Sequence, residues 1–277
     1  MVVVVCGAGT MGSGIAQVMA MAGHQTLLYD INQTTLQLAE KGIANSLQKF
    51  LDKGKITHQL KEQITSQLQY VDDINFCTGD VIIEAIVERY DAKVGLFNML
   101  AEVNHGETIF ASNTSSLSIT TLQSQIQNPD RVAGLHFFNP PVLMPLVEII
   151  QGNHTNIEVI TTLQQLMVDC KKTAVLCKDA PGFIVNRVAR PFYIEALRMA
   201  EQGVPYETID AAMQAAGFKM GPFALMDMIG NDVNLSVSQS VYDALEQPPH
   251  LKPSPIQAQL VAENKLGKKT GEGYYKY

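Results

Sequence analysis

Residues 2–6 read Val-Val-Val-Val-Cys, an unbroken β-branched run that predicts a short strand covered on both faces. The pattern breaks at the glycine-rich stretch Gly7–Gly12, which reads as a turn. Beyond it Ile15, Val18 and Met19 recur at the spacing of a helix face. A second strand is expected over His24–Asp30, ending on an acid, and a mostly helical amphipathic stretch over Asn32–Lys55. Val81–Val87, Thr108–Ser112, Val132–His136 and Leu146–Ile150 are further short apolar runs that predict buried strands. Strands that alternate with helices in this way predict an α/β fold with a doubly wound, largely parallel sheet.

The pattern changes after Lys178. Asp179-Ala180-Pro181-Gly182 is a turn-rich break, and beyond it Ile184, Val188, Phe192, Ala196 and Met199 recur every three or four residues. Pro191 is expected to kink that helix. Helices are predicted over 207–216, 222–246 and 254–264, with one short strand at the Tyr274–Tyr277 end. We therefore read residues 1–181 as an α/β domain and 182–277 as an all-helical C-terminal domain.

Composition narrows the function. With 46% hydrophobic and 17% charged residues the chain has an ordinary globular balance, and its net charge of −7 gives no general attraction to nucleic acid or an anionic membrane. No apolar run approaches the roughly 20 residues of a membrane-spanning helix. No secretory or transit-like leader is expected. The cysteines Cys6, Cys77, Cys170 and Cys177 are scattered without a CxxC, so reduced thiols in a cytoplasmic protein are expected. The six histidines show no metal-ligand spacing, and no metal is expected.

Gly7-Ala8-Gly9-Thr10-Met11-Gly12 fits G-x-G-x-x-G, and it follows a strand and opens a helix, the context that gives this motif its meaning. Gly7 permits the tight turn, Gly9 lets backbone approach a pyrophosphate, and Gly12 lets helix and sheet pack closely. The helix start through Thr10 and Met11 offers N–H groups and partial positive charge to phosphates. Asp30, at the end of the second strand, can accept from both ribose hydroxyls and would repel a 2′-phosphate, so NAD is expected over NADP. A plain glycine turn beside a capping acid is the bland alternative.

Two further residues suggest oxidation of an alcohol, which needs a base for the hydroxyl proton. His136 ends an apolar strand in Gly134-Leu135-His136-Phe137-Phe138-Asn139-Pro140, at the edge that faces ligands in an open α/β sheet. Glu148 stands alone among apolar neighbours in Pro145-Leu146-Val147-Glu148-Ile149-Ile150, and a buried charge needs a partner. His136 is the economical choice, although a histidine among apolar residues is often just a satisfied core residue. In Ala111-Ser112-Asn113-Thr114-Ser115-Ser116, Ser115 or Ser116 could cap a helix, or Asn113 and Ser115 could meet nicotinamide and substrate. Asn186 could bond a neighbouring loop or help close a cleft between the domains. Lys41, Lys49, Lys53 and Lys55 against the single Asp52 reverse the local charge, either as a solvated face or as a seat for coenzyme A phosphates.

These residues together resemble the L-3-hydroxyacyl-CoA dehydrogenase family over nearly the whole chain. The resemblance rests on Gly7–Gly14, Glu84–Glu88, Ser112–Ser116, Gly134–Pro140, Pro181–Arg187, Met220–Phe223 and Leu266–Gly271. It implies a Rossmann-type NAD domain, a helical domain through which the protein forms a homodimer, and oxidation of a short L-3-hydroxyacyl-CoA. By resemblance His136 is the base and Glu148 its partner, Ser115 bonds the substrate oxygen and Asn186 holds substrate. Glu88, Lys93 and Asn113 fall on positions near the nicotinamide, and Ser46 and Lys53 on positions that contact coenzyme A.

Pro145 stands where the family usually shows lysine, and Asn139–Met144 departs from the common spelling. Arg187–Pro191 and Ile229–Asn234 look like members that serve phenylacetate degradation and act on 3-hydroxyadipyl-CoA. Others, including those of β-oxidation, take 3-hydroxybutyryl-CoA. A dehydrogenase of a free hydroxy or sugar acid and a non-catalytic NAD-binding protein are the rival readings.

Overall fold

The computed structural model describes residues 1–277 as two compact units, Met1–Asp179 and Ala180–Tyr277. In the first unit β1 (Val2–Cys6), α1 (Thr10–Met21), β2 (Gln25–Tyr29) and α2 (Gln33–Asp52) follow the predicted order. They continue through α3 (His58–Ser66), β3 (Leu68–Val71), β4 (Val81–Glu84), α4 (Tyr90–Val103) and β5 (Ile109–Ser112). The unit ends with α5 (Ile119–Gln123), β6 (Val132–Phe137), β7 (Leu146–Gln151), α6 (Ile157–Asp169) and β8 (Thr173–Lys178). Eight strands form one sheet in the order β3-β2-β1-β4-β5-β6-β7-β8.

All neighbours are parallel except β6 and β7, which pair antiparallel. A short connection suffices there, since antiparallel neighbours need no crossover helix. Val3, Val4 and Val5 are wholly buried, as expected for a central strand with helices on both faces. Ile15 and Met19 of α1 pack into the same core as Leu36, Ile43 and Leu47 of α2. Asn32 starts α2 by accepting from the Thr34 and Thr35 amides at 2.9 and 3.2 Å.

The sequence pattern missed β3 and β8, the two edges of the sheet. Both are only partly buried: β3 is interrupted by Gln69, and the four apolar residues of β8 stand between the exposed Thr173 and Lys178. The strand expected over Val81–Val87 stops at Glu84, whose side chain turns back to accept from the Ile86 amide at 2.7 Å.

The second unit is helical: α7 (Val185–Glu201, with Pro191 inside it), α8 (Tyr206–Ala215), α9 (Pro222–Ile229), α10 (Asn231–Ala244) and α11 (Pro255–Ala262). Two expectations are corrected here. The single helix over 222–246 is two helices, because Gly230 has φ +106° and cannot continue a right-handed helix. Tyr274–Tyr277 is not a strand. The buried carboxylate of Asp227 takes the Tyr274 and Tyr275 amides at 3.0 and 2.9 Å and the Tyr277 hydroxyl at 3.1 Å, replacing the ladder a strand would need.

Candidate active site

The glycine turn between β1 and α1 is shaped by contact. Gly7 has φ +99°, and a Cβ there would sit 2.6 Å from the Ala85 carbonyl oxygen. A Cβ on Gly12 would fall 1.7 Å from the Gly7 carbonyl oxygen, so α1 can leave the turn only from a glycine. A Cβ on Gly9 would meet nothing within 4 Å, so its backbone borders open space. No side chain caps α1, and its first turn carries no acid. Its N–H groups and dipole therefore face outward at the exposed Gly9 and Thr10.

Asp30 follows β2. Its Oδ2 accepts from the Ala8 amide at 2.8 Å and its Oδ1 from the Asn32 amide at 2.9 Å. The carboxylate thus braces the glycine turn, a role that the motif alone did not suggest. Each oxygen keeps a second lone pair for a hydroxyl donor. An uncapped helix start, an open glycine backbone and a braced acid are the donors and acceptors that a dinucleotide requires, so the residues present fit NAD.

At the other end of the sheet's middle, the antiparallel register sets His136 directly across from Glu148. Their side chains meet at 2.7 Å, Nδ1 to Oε2, with His136 6% and Glu148 1% exposed. With Nδ1–H donating to the carboxylate, Nε2 becomes the basic nitrogen of the neutral ring. Phe138 packs on the imidazole with ring centres 4.6 Å apart. Asn113 Oδ1 accepts from the Phe137 amide at 2.8 Å and so ties the end of β5 to the end of β6.

Glu88 gathers the serine-rich loop. Its Oε1 accepts from Thr114 Oγ1 at 2.6 Å, from the Ser115 amide at 2.9 Å and hydroxyl at 3.3 Å, and from Ser116 Oγ at 3.1 Å. Its Oε2 lies 3.1 Å from Lys93 Nζ. Burial opposes its charge, but Lys93 and these hydrogen bonds prevail and hold the carboxyl below the usual range.

Lys93 is itself buried and pairs at 2.6 Å with Glu84, which also accepts from Ser112 Oγ at 2.7 Å. Burial pushes the Glu84 carboxyl up despite that pairing. Glu84 was not among the residues singled out from sequence, although a lone acid ending an apolar strand is the same signal that exposed Glu148. Neither Ser115 nor Ser116 caps α5. Ser118 does, accepting from the Thr121 amide at 3.1 Å, and Asp179 accepts from the Ile119 and Thr120 amides at 3.1 and 2.7 Å.

Lys41 and Lys49 on α2, Lys53 at its C-terminal cap, and Lys55 beyond are exposed and enter no ion pair. Ser46 is half-buried on α2. In the helical unit Asn186 lies in the first turn of α7, where its carbonyl accepts from Arg190 Nε at 3.0 Å. All four cysteines are unpaired thiols. Burial pushes Cys77, Cys170 and Cys177 up to about 12, and Cys6 well above its ordinary value, which removes thiolate chemistry. No cluster of three or more His, Cys, Asp or Glu side chains is suited to a metal ion, and no helix is long and apolar enough to cross a membrane.

A dinucleotide fold of this kind, carrying an imidazole held by a carboxylate, defines a nicotinamide-dependent dehydrogenase. Two family models match. The 3-hydroxyacyl-CoA dehydrogenase NAD binding domain covers residues 2–180, and the C-terminal domain of the same family covers 182–277. The chain belongs to the 3-hydroxyacyl-CoA dehydrogenase family.

It is 48% identical to the 3-hydroxyadipyl-CoA dehydrogenase of Escherichia coli over 99% of this chain, and it spans 58% of that protein's length. It is 43% identical to the mitochondrial hydroxyacyl-coenzyme A dehydrogenase of Sus scrofa, over 99% of this chain and 90% of the relative. Among solved structures, the 3-hydroxybutyryl-CoA dehydrogenase of Escherichia coli superposes with a TM-score of 0.96 at 47% identity, covering 100% of this chain and 59% of that one. The (S)-3-hydroxybutyryl-CoA dehydrogenase of Ralstonia eutropha gives 0.95 at 35% identity, covering 100% and 98%.

Proposed function

We propose that this protein oxidises the 3-hydroxyl of a short L-3-hydroxyacyl-CoA to the 3-oxoacyl-CoA, with NAD as its cofactor. The observation that carries the reading is the buried 2.7 Å contact between His136 and Glu148 on facing strands of the cofactor-binding unit.

When bound, NAD supplies the acceptor for the hydride that leaves C3. The turn Gly7–Gly12, with the amides of Thr10 and Met11, holds its pyrophosphate, and Asp30 takes the adenosine ribose hydroxyls. Glu88, Lys93 and Asn113 shape the nicotinamide end. His136 Nε2 removes the proton of the 3-hydroxyl, while Glu148 keeps the ring in the needed tautomer and stabilises the imidazolium that forms. Ser115 donates to the substrate oxygen, and Asn186 fixes the acyl group. Ser46 and Lys53 contact the coenzyme A moiety, and the unpaired lysines along α2 supply charge for its phosphates.

The reading includes a cytoplasmic enzyme, in keeping with four reduced thiols, of β-oxidation or phenylacetate degradation. It also includes a homodimer formed through the helical unit, where Val188, Phe218, Met228 and Val233 present apolar side chains to solvent.

The test is steady-state oxidation of 3-hydroxybutyryl-CoA and of free 3-hydroxybutyrate, each with NAD. The thioester should be the far better substrate, and His136→Gln should lose about 10²–10⁴ in turnover while still binding NADH. Preference for the free acid would point to a hydroxy-acid dehydrogenase. NADH binding without turnover of any acyl-CoA would point to a non-catalytic protein.

A further inference from the structure

The connection that joins β6 to β7 brings the carbonyls of Pro141 and Met144 to one point. Lys172 Nζ donates to both, at 2.6 and 2.8 Å. The Pro140 carbonyl closes the same turn by accepting from the Leu143 and Met144 amides, each at 3.0 Å. Lys172 immediately precedes β8, and the next amide, that of Thr173, donates to the Pro145 carbonyl at 2.8 Å. No carboxylate pairs with this half-buried lysine, so its cation serves the turn alone. Burial lowers its ammonium from the ordinary lysine value.

The turn also touches α1. Pro141 is buried against Gly14, where a Cβ would fall 2.9 Å from the Cδ and Cγ atoms of the proline ring and 3.3 Å from its Cβ. The ring is rigid and cannot swing aside as a long side chain would. Gly14 lies just beyond Gly12, in the helix whose start faces the cofactor. In the sheet, β1, which leads into α1, is separated from β6 by β4 and β5. The two strands thus stand about 14 Å apart at the usual strand spacing. Pro141 on Gly14 is a direct contact that bypasses the strands between. The ladder of β6 and β7 sets His136 opposite Glu148, but it leaves the distance from that pair to α1 open.

We propose that Lys172, Pro141 and Gly14 form a spacer that sets the separation between the base-bearing hairpin and the cofactor helix, with Lys172 as its positioning residue. The inference rests on the function proposed above, because it takes His136 as the base and α1 as the seat of the dinucleotide. Hydride transfer requires the two carbons in near contact, and a misplacement of about 1 Å can cost about 10²-fold in rate. Loss of the lysine lets the turn relax and the proline lift from α1. A methyl group on Gly14 drives the two apart instead. Neither change replaces the imidazole, its carboxylate or the Gly7–Gly12 turn.

The test is oxidation of 3-hydroxybutyryl-CoA with NAD, with turnover counted per NADH-binding site so that unfolded molecules do not contribute. Lys172→Met should lose about 10- to 100-fold in kcat, with KM and NADH affinity nearly unchanged. Lys172→Arg keeps a cation with donors for both carbonyls and should recover most of that loss. Gly14→Ala and Pro141→Ala should each lower kcat, the first by crowding and the second by slack. Their combination should be more active than either, since the new methyl group on residue 14 fills space that the ring vacates. Native kcat in Lys172→Met, a Lys172→Arg variant as slow as Lys172→Met, or a combined variant no better than its parents would overturn the spacer. A fall in NADH affinity that accounts for the whole loss would overturn it too. In each of these cases a native enzyme that oxidises the thioester leaves the proposed function standing, and a native enzyme that does not removes both.

Discussion

Lys93 Nζ and Glu84 Oε1 lie 2.6 Å apart where neither side chain is more than 1% exposed. The ion pair sits beneath the loop that carries Ser115, and Lys93 passes its second contact to Glu88, which holds that loop. The position of Ser115 therefore depends on a charge two residues removed from it in the hydrogen-bond chain. Lys93→Met would strand Glu84 in the interior, and urea unfolding should show a loss of about 3–5 kcal/mol. The double variant Lys93→Met with Glu84→Gln should be the milder one, because it leaves no lone charge at the fully buried position 84 and only the partly exposed Glu88 loses its cation. Equal or greater loss in the double variant would count against the pair as the cause.

Glu148→Gln tests tautomer control. An amide can donate to Nδ1 as well as accept from it, so the ring loses the constraint that places the lone pair on Nε2. Turnover should fall by about 10²–10⁴ with NADH affinity nearly unchanged, measured by steady-state kinetics alongside fluorescence titration. Wild-type turnover would remove Glu148 from the mechanism.

Gly12→Ala places a methyl group where the Gly7 carbonyl oxygen already is, 1.7 Å from an ideal Cβ. The turn must open, and NADH binding should fall at least tenfold by titration. Gly9→Ala meets no protein atom within 4 Å, so it should leave the fold intact, and thermal unfolding should barely change. Loss of stability in the Gly9 variant and not in the Gly12 variant would reverse the assignment.

Asp30→Ala removes the brace on the Ala8 amide as well as the acid that would repel a 2′-phosphate. Both effects should appear together: weaker NAD binding, and a smaller ratio of NAD to NADP efficiency. An unchanged ratio would separate Asp30 from cofactor choice.

Glu88 gives a pH signature. Its folded carboxyl titrates below its unfolded value, so its contribution to stability is complete above the unfolded pKa, near 4.3, and disappears as pH falls through the lower folded value. Glu88→Gln should be less stable than wild type at neutral pH, and the difference should close as acid is added below pH 4. A gap that persists into strong acid would mean that Glu88 acts through packing rather than charge.

Much of this protein was legible in its sequence because the relevant signals are local. The valine run of β1, the glycine turn and the acid after β2 are each set by neighbours a few residues away. Even the need of Glu148 for a partner followed from burial in an apolar run. The edge strands β3 and β8 were not legible, since β3 mixes polar with apolar residues and the apolar run of β8 is only four residues long. The break of the expected long helix at Gly230 escaped because glycine within an apolar pattern signals a bend only when its backbone leaves the right-handed region.

By itself the sequence determined most of the strands and helices in order, the glycine turn and the pairing expected of Glu148 with His136, because periodicity, local sterics and the cost of a buried charge act over a few residues. Tertiary structure alone decided that β7 runs against β6, so that positions twelve residues apart face each other. It alone decided that Glu84, Lys93 and Glu88 form one chain of charge, and that Pro141 rests against Gly14. These facts depend on which segments the sheet and the helices bring together, and long-range packing leaves no periodic trace in the chain.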